Sequence, residues 1–356
     1  MLSKPFYDPH KTYEDNFTNG PFGAFADGEI FQQNEEPTYE VFGNKVFLPF
    51  GIAPGPLLNG KYVRAALDKG FDIAVYKTVR TRKYPCSQFP NVLAVHTDGD
   101  LTIEQANIGL VADSHYKEPL SITNSFGVPS FDPDFWQKDL ADTVKYAKKG
   151  QIVIGGFQGT TGGGESEYIQ DFITAARLVK ETKVSILEVN LSCPNEGTAH
   201  LLCFDTARTQ NIIESIKNEI GNTPLIMKIA YFAEDEQLRD LIKRVGKIID
   251  GISAINTIPA KIYNKKKEQA LPGNGRLISG ACGKPIKWAG ISMVERLKKL
   301  KEDNSYTFNI IGVGGVTNVE DYNEYRKAGA DEVMCATGAM WNPYLAQDIK
   351  KAIKPN

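Results

Sequence analysis

Cysteine is scarce and unpaired along this 356-residue sequence: Cys86, Cys193, Cys203, Cys282 and Cys335 are scattered, with no C-x-x-C pair. That spacing argues against zinc or iron–sulfur ligation within the chain, and an odd count suits a reducing compartment. Charge of one sign is also lacking. Lys and Arg number 41 against 43 Asp and Glu, for a net charge of −2, so there is no electrostatic case for nucleic acid or for an anionic membrane surface. No apolar run approaches the roughly 18 residues of a membrane span. The start, MLSKPFYDPHKTYEDNF, has no hydrophobic signal region. The expectation is a soluble, cytoplasmic protein with no membrane or nucleic-acid partner and no metal.

What is present is an ordinary globular composition, 42% hydrophobic and 24% charged, in a chain long enough for one large domain or two average ones. Residues 1–44 are rich in Asn, Asp, Gly, Pro and Phe and read as an irregular N-terminal arm. From residue 45 a rhythm sets in. Apolar runs fall at 45–53, 71–77, 151–157, 184–190, 224–230, 251–258, 308–315 and 331–338. Between them lie segments such as YIQDFITAARLVKETK and QLRDLIKRVGKII, apolar at every third and fourth position, as amphipathic helices are. Continuous apolar strands alternating with helices mean a parallel sheet covered on both faces. Eight such units predict an α/β fold, a (β/α)8 TIM barrel over 45–356, with an open doubly wound sheet as the rival. Two stretches, 79–131 and 259–290, are too long for simple connections. They read as insertions after the second and sixth strands, at the end of the barrel where active sites form.

The strand ends are unusually polar. The fourth apolar run leads straight into EVNLSCPNEG, residues 188–197. Taken in order, the ends offer Lys77, then Gly156 and Gln158, then Asn190 with Ser192 and Cys193, then Lys228, then Asn256 and Thr257. Buried lysine is rare without a partner, so such a ring points to chemistry. The last two ends, GVGGVTN and CATGAM, carry glycines that let backbone N–H groups approach a phosphate.

The ordered set NSFGVPS, NLSCPNEG, LIMKIA, INTI and IIGVGGVTN resembles the dihydroorotate dehydrogenase family over roughly residues 45–350. The cysteine in NLSCPN resembles the soluble class of that family. The resemblance implies a flavin mononucleotide (FMN) enzyme of pyrimidine biosynthesis that oxidises dihydroorotate to orotate, and a homodimer. The oxidant stays open between a soluble acceptor such as fumarate, the simpler case without a cysteine cluster for iron–sulfur, and NAD reached through a partner subunit. It places the catalytic base at Cys193, supported by Ser192 and Lys77. It implies substrate contacts at Lys77, Asn124, Gly127, Val128, Asn190, Asn195, Asn256 and Thr257. Flavin contacts fall on Ala53, Gly55, Lys77, Thr78, Asn190, Lys228, Gly283, Gly314, Gly315, Thr337 and Gly338. Asparagine amides, with one acceptor and two donors each, suit the alternating edge of a pyrimidinedione.

Other readings stand beside this one. The same scaffold serves a relative acting on dihydrouracil, or a non-redox phosphate-binding lyase or isomerase that uses Lys77 or Lys228 for Schiff-base chemistry. Cys86, Cys203, Cys282 and Cys335 read as small buried hydrophobes, and NKKKEQ at 264–269 as a solvated face. The loop 196–206, with Gly197 as a hinge and His200 within it, reads as a cover over bound substrate.

Overall fold

The computed structural model describes residues 2–192 and 201–353. Its centre is a closed ring of eight parallel strands joined in chain order. They are β1 (Phe50–Ile52), β2 (Ile73–Val79), β3 (Ile152–Phe157), β4 (Ile186–Asn190), β5 (Leu225–Ile229), β6 (Gly251–Ala254), β7 (Asn309–Val313) and β8 (Glu332–Cys335). Side chains alternate across each strand. The inward set, including Ile73, Val75, Ile154, Ile186, Ile226, Ile311 and Met334, forms one dry cluster inside the barrel. The outward set joins the helices in a second, larger cluster. Each fully buried Ile or Val contributes about 1.5–3 kcal/mol, so both faces of the strands must be apolar, as the sequence pattern showed.

The helices form for local reasons. Asn59 caps Gly60–Asp68, its Oδ1 accepting from the N–H groups of Lys61 and Tyr62 at 3.0 and 3.4 Å. Pro133 opens Pro133–Tyr146 in the first turn, where its missing N–H costs nothing.

Two expectations need correction. The run 45–53 is not one strand. Asn44–Val46 pairs back on Tyr39–Val41 as an antiparallel hairpin, and only Phe50–Ile52 enters the barrel. The apolar run hid a turn because the hairpin is also buried: Val41 and Val46 pack into the barrel's lower end as a plug. The arm is not irregular throughout. It holds a helix at Tyr13–Asn19, capped by Thr12, as well as part of that hairpin. The two insertions, which the sequence marked only by their length, join. Val92–Val95, Leu110–Asp113 and Ser121–Asn124 from the first close with Ile258–Tyr263 and Ile278–Gly283 from the second into a small five-stranded sheet. Pairing between insertions 130 or more residues apart leaves no local signature.

Candidate active site

The last turn of β2 is irregular. Its register with β3 slips between Tyr76 and Val79, a bulge of the kind that re-aims side chains, and Lys77 and Thr78 sit in that slip. They share a cavity with Gly55, Asn124, Gly127, Val128, Asn190, Lys228, Asn256 and Thr257. Ten residues expected from the sequence are therefore brought together from five barrel strand ends and the first insertion. Both lysines are buried, Lys77 at 7% and Lys228 at 6% exposure. The Lys77 ammonium donates to the carbonyl of Gly55 at 3.2 Å and lies 5.2 Å from the centre of the Phe126 ring.

The asparagines are held by different means. Asn190 donates its amide to Gln158 Oε1 at 2.8 Å, and its own Oδ1 accepts from the Ser192 hydroxyl at 3.1 Å. Gln158 is buried and thereby fixes which way the Asn190 amide faces. Asn256 donates to the carbonyl of Ser192 at 2.9 Å. Asn124 donates to Cys282 Sγ at 3.3 Å. Its backbone carbonyl accepts from the Ser279 hydroxyl at 2.7 Å, and it lies opposite Gly280 in the small sheet. The following loop is strained: Gly127 and Val128 both have positive φ, at 74° and 51°. For a β-branched residue that geometry persists only when its surroundings impose it. Here buried Arg80 does so, donating to the carbonyls of Val128 at 2.9 Å, Gly159 at 2.9 Å and Gly127 at 3.4 Å.

A second cavity adjoins the first and shares Gly55, Asn124 and Phe126 with it. Thr337 lies there, beside Cys282, Ile122 and Tyr7 of the N-terminal arm. The glycine group gathers nearby. A Cβ on Gly315 would stand 3.0 Å from the carbonyl oxygen of Gly283, and one on Gly338 would stand 2.3 Å from that of Val316. Gly283, Gly314 and Gly315 have positive φ. Only glycine lets these three chain segments approach so closely.

Some expected residues sit elsewhere. Ala53 is packed in the dry barrel interior below the cavity. Ser192 is buried behind the lining and acts on Asn190 and Asn256 rather than facing the cavity. Cys193 and Asn195 lie outside the described residues, as do Gly197, His200 and most of the loop expected to cover substrate. The stretch 265–269 is exposed as expected.

The sequence reading passed over four contributors. Phe126 and Gly280 line the cavity. Gln158 was visible at a strand end without a role. Cys282 is not an inert filler, because it accepts from Asn124 and lines the adjoining cavity. Burial pushes its thiol pKa up, so it stands as a neutral thiol. Beneath the site, Glu188 is buried at 1% exposure, and neither of its carboxyl oxygens has a hydrogen-bond partner among the described residues. Burial raises its pKa while the Lys228 charge opposes the rise.

The dihydroorotate dehydrogenase family model matches residues 38–356. A dihydroorotate dehydrogenase of Dictyostelium discoideum is 31% identical over 357 residues, spanning 97% of this chain and 96% of its own. The catalytic subunit of an NAD(+)-type dihydroorotate dehydrogenase B from Desulforamulus reducens is 30% identical over 233 residues, 65% of this chain and 71% of its own. A quinone-type dihydroorotate dehydrogenase from Christiangramia forsetii is 27% identical over 321 residues, 88% of this chain and 83% of its own. Among solved structures, that of the Eimeria tenella enzyme in complex with ferulenol superposes with a TM-score of 0.70 at 18% identity. It covers 90% of this chain and 85% of the other, a likeness of fold.

Proposed function

This chain belongs to the dihydroorotate dehydrogenase family, and on that premise we propose that it oxidises dihydroorotate to orotate with a bound FMN. The observation that carries the reading is one cavity in which Lys77, Asn124, Asn190, Lys228 and Asn256 converge. Two lysines and three amides line it, with no carboxylate among the described lining residues. That set suits a pyrimidinedione ring bearing a carboxylate better than the uncharged dihydrouracil ring. Family membership sets aside the lyase and isomerase reading.

The residues present fit a flavin nucleotide. Gly283, Gly315 and Gly338 lie where chain segments pack closely, and backbone N–H groups at these glycines would hold the phosphate. Gly55 faces open space within the cavities. Thr78, Lys228 and Thr337 would hold the ring system and its chain. When bound, the flavin supplies the acceptor for the hydride that leaves the substrate ring.

The protein's own task is to orient the ring and take a proton. Asn124, Asn190 and Asn256, each with its amide direction set by a named neighbour, would present donors and acceptors to the ring edge. Cys193 would remove the proton alpha to a ring carbonyl, leaving the carbon–carbon double bond as the hydride departs. A free cysteine has a pKa of about 8.5 and reacts as thiolate. By the resemblance of NLSCPN, the soluble class is proposed, with a soluble acceptor such as fumarate, in the cytoplasm and as a homodimer. Among the described residues, no helix is long and apolar enough to cross a membrane.

The test is anaerobic flavin bleaching by dihydroorotate. Cys193→Ala should keep its flavin and slow the bleaching by about two to four orders of magnitude, the usual weight of a general base. Bleaching at the wild-type rate in that variant would remove Cys193 from the mechanism.

A further inference from the structure

The second insertion does more than supply strands to the small sheet. Ser279, Gly280 and Cys282 each hold Asn124, through a hydroxyl, a strand pairing and a thiol. One turn earlier, Arg276 reaches across to the residue after Asn124. Its Nε donates to Ser125 Oγ at 3.0 Å and its Nη2 to the Ser125 carbonyl at 2.9 Å. The same guanidinium donates to the carbonyls of Gln88 at 2.6 Å, Pro90 at 3.0 Å and Pro272 at 2.6 Å.

Arg276 is buried, at 7% exposure. Arginine stays charged in proteins. Yet among the described residues it has no carboxylate partner: each acceptor it reaches there is a neutral carbonyl or hydroxyl. An isolated buried charge is costly unless something compensates it. Five hydrogen bonds satisfy its donors but leave its net charge standing, one residue from a cavity wall that already carries Lys77 and Lys228. In a medium of low dielectric that charge reaches several ångströms further than it would in water.

We propose that Arg276 is a positioning and specificity residue. From the second insertion it fixes the backbone at Ser125, so that Asn124 faces the cavity, and its uncompensated charge favours an anionic ring over a neutral one. The inference rests on the proposed reading of the cavity as a site for an orotate-like anion. It gives the second insertion a task beside that of Asn91 in the first, whose amide also donates to the Ser125 carbonyl at 3.1 Å.

The experiment is titration of orotate and of uracil against the flavin absorbance of the FMN-loaded enzyme, for wild type, Arg276→Lys and Arg276→Met. Wild type should prefer orotate. Arg276→Lys keeps the charge but loses the fork of donors. It should weaken both ligands and preserve most of the preference. Arg276→Met keeps the bulk and loses the charge. It should reduce the preference for orotate over uracil at least fivefold, beyond any common weakening. Flavin content per chain and the far-ultraviolet circular dichroism of each variant report whether the fold is kept. If Arg276→Met misfolds, Arg276→Lys decides: loss of the preference despite retained charge overturns the proposal. Equal weakening of both ligands in a folded Arg276→Met would reduce Arg276 to a purely structural staple and also overturn it. A wild type with no preference for orotate would instead sink the substrate reading itself, so the two failures are distinguishable.

Discussion

Lys228 and Glu188 face inward from neighbouring strands, the carboxyl two residues lower in the register. Burial raises the Glu188 pKa, and the Lys228 charge and the Ser253 hydroxyl oppose the rise. Gly55 offers the clearest single-residue test of the cofactor site. Its φ is not in the left-handed region, and a Cβ there meets nothing within 4 Å. Gly55→Val should therefore fold normally while its methyl groups project into the space shared by both cavities. The purified variant should be colourless or bind added FMN at least tenfold more weakly, read from flavin fluorescence quenching. A yellow protein with wild-type affinity would place the flavin elsewhere. Gly315 is unsuited to the same test. Its φ of 72° and its contacts with Lys287 and Gly283 would strain any larger residue, ligand or no ligand.

At the scale of elements, the segment Asn124–Ser130 is held from two sides. Arg276 grips its start and Arg80 its middle, while Tyr84 and Ser130 exchange backbone hydrogen bonds of 2.8 and 3.0 Å at its end. Arg80 also stacks over the Tyr84 ring at 4.1 Å. Arg80→Met would leave the buried Gly159 carbonyl and the half-buried carbonyls of Gly127 and Val128 without this donor, the buried one costing about 1–3 kcal/mol, and would release the positive φ of Val128. The expected outcome is a KM for dihydroorotate raised at least tenfold, with flavin content near wild type and a lowered midpoint of denaturant unfolding. An unchanged KM would show that the loop holds its shape without the clamp. None of this was legible along the chain. NSFGVPS reads as a glycine- and proline-rich loop, and neither arginine is near it in sequence. What could be read was periodicity, because strands buried on both faces must be continuously apolar whatever they pack against.

Across the whole molecule, the later part of the arm and the last helix meet at the barrel's lower rim. Asp72, just before β2, is fully buried. It accepts from the Lys350 ammonium of the last helix, Leu345–Ile353, at 2.7 Å, and from the Leu48 N–H at 2.7 Å. Gln33 of the arm donates to it at 3.2 Å. One carboxylate thus ties the arm, the first strand's approach and the final helix together. Breaking a buried pair by removing one partner typically costs about 3–5 kcal/mol. Asp72→Ala should lower the denaturant midpoint accordingly while leaving orotate affinity of the surviving native fraction unchanged, since the rim lies at the opposite end from the cavity. A stability within 1 kcal/mol of wild type, on the scale of an exposed pair, would show that the rim closes without it.

The sequence by itself determined the eight-unit barrel and the polar residues at its strand ends. Both follow from constraints local to a strand: two buried faces, a side-chain period of two, and a polar residue where the strand meets the mouth. Thus Lys77, Asn190, Lys228 and Asn256 could be singled out before any contact was known. Only the tertiary structure decided that the two insertions close into one small sheet, that the hairpin Tyr39–Val46 plugs the barrel, and that Arg276, Cys282 and Gln158 orient the site's amides. Those facts depend on pairings between residues 30 to 160 positions apart. Loop closure makes such pairings a property of the whole chain, and no window of sequence carries them.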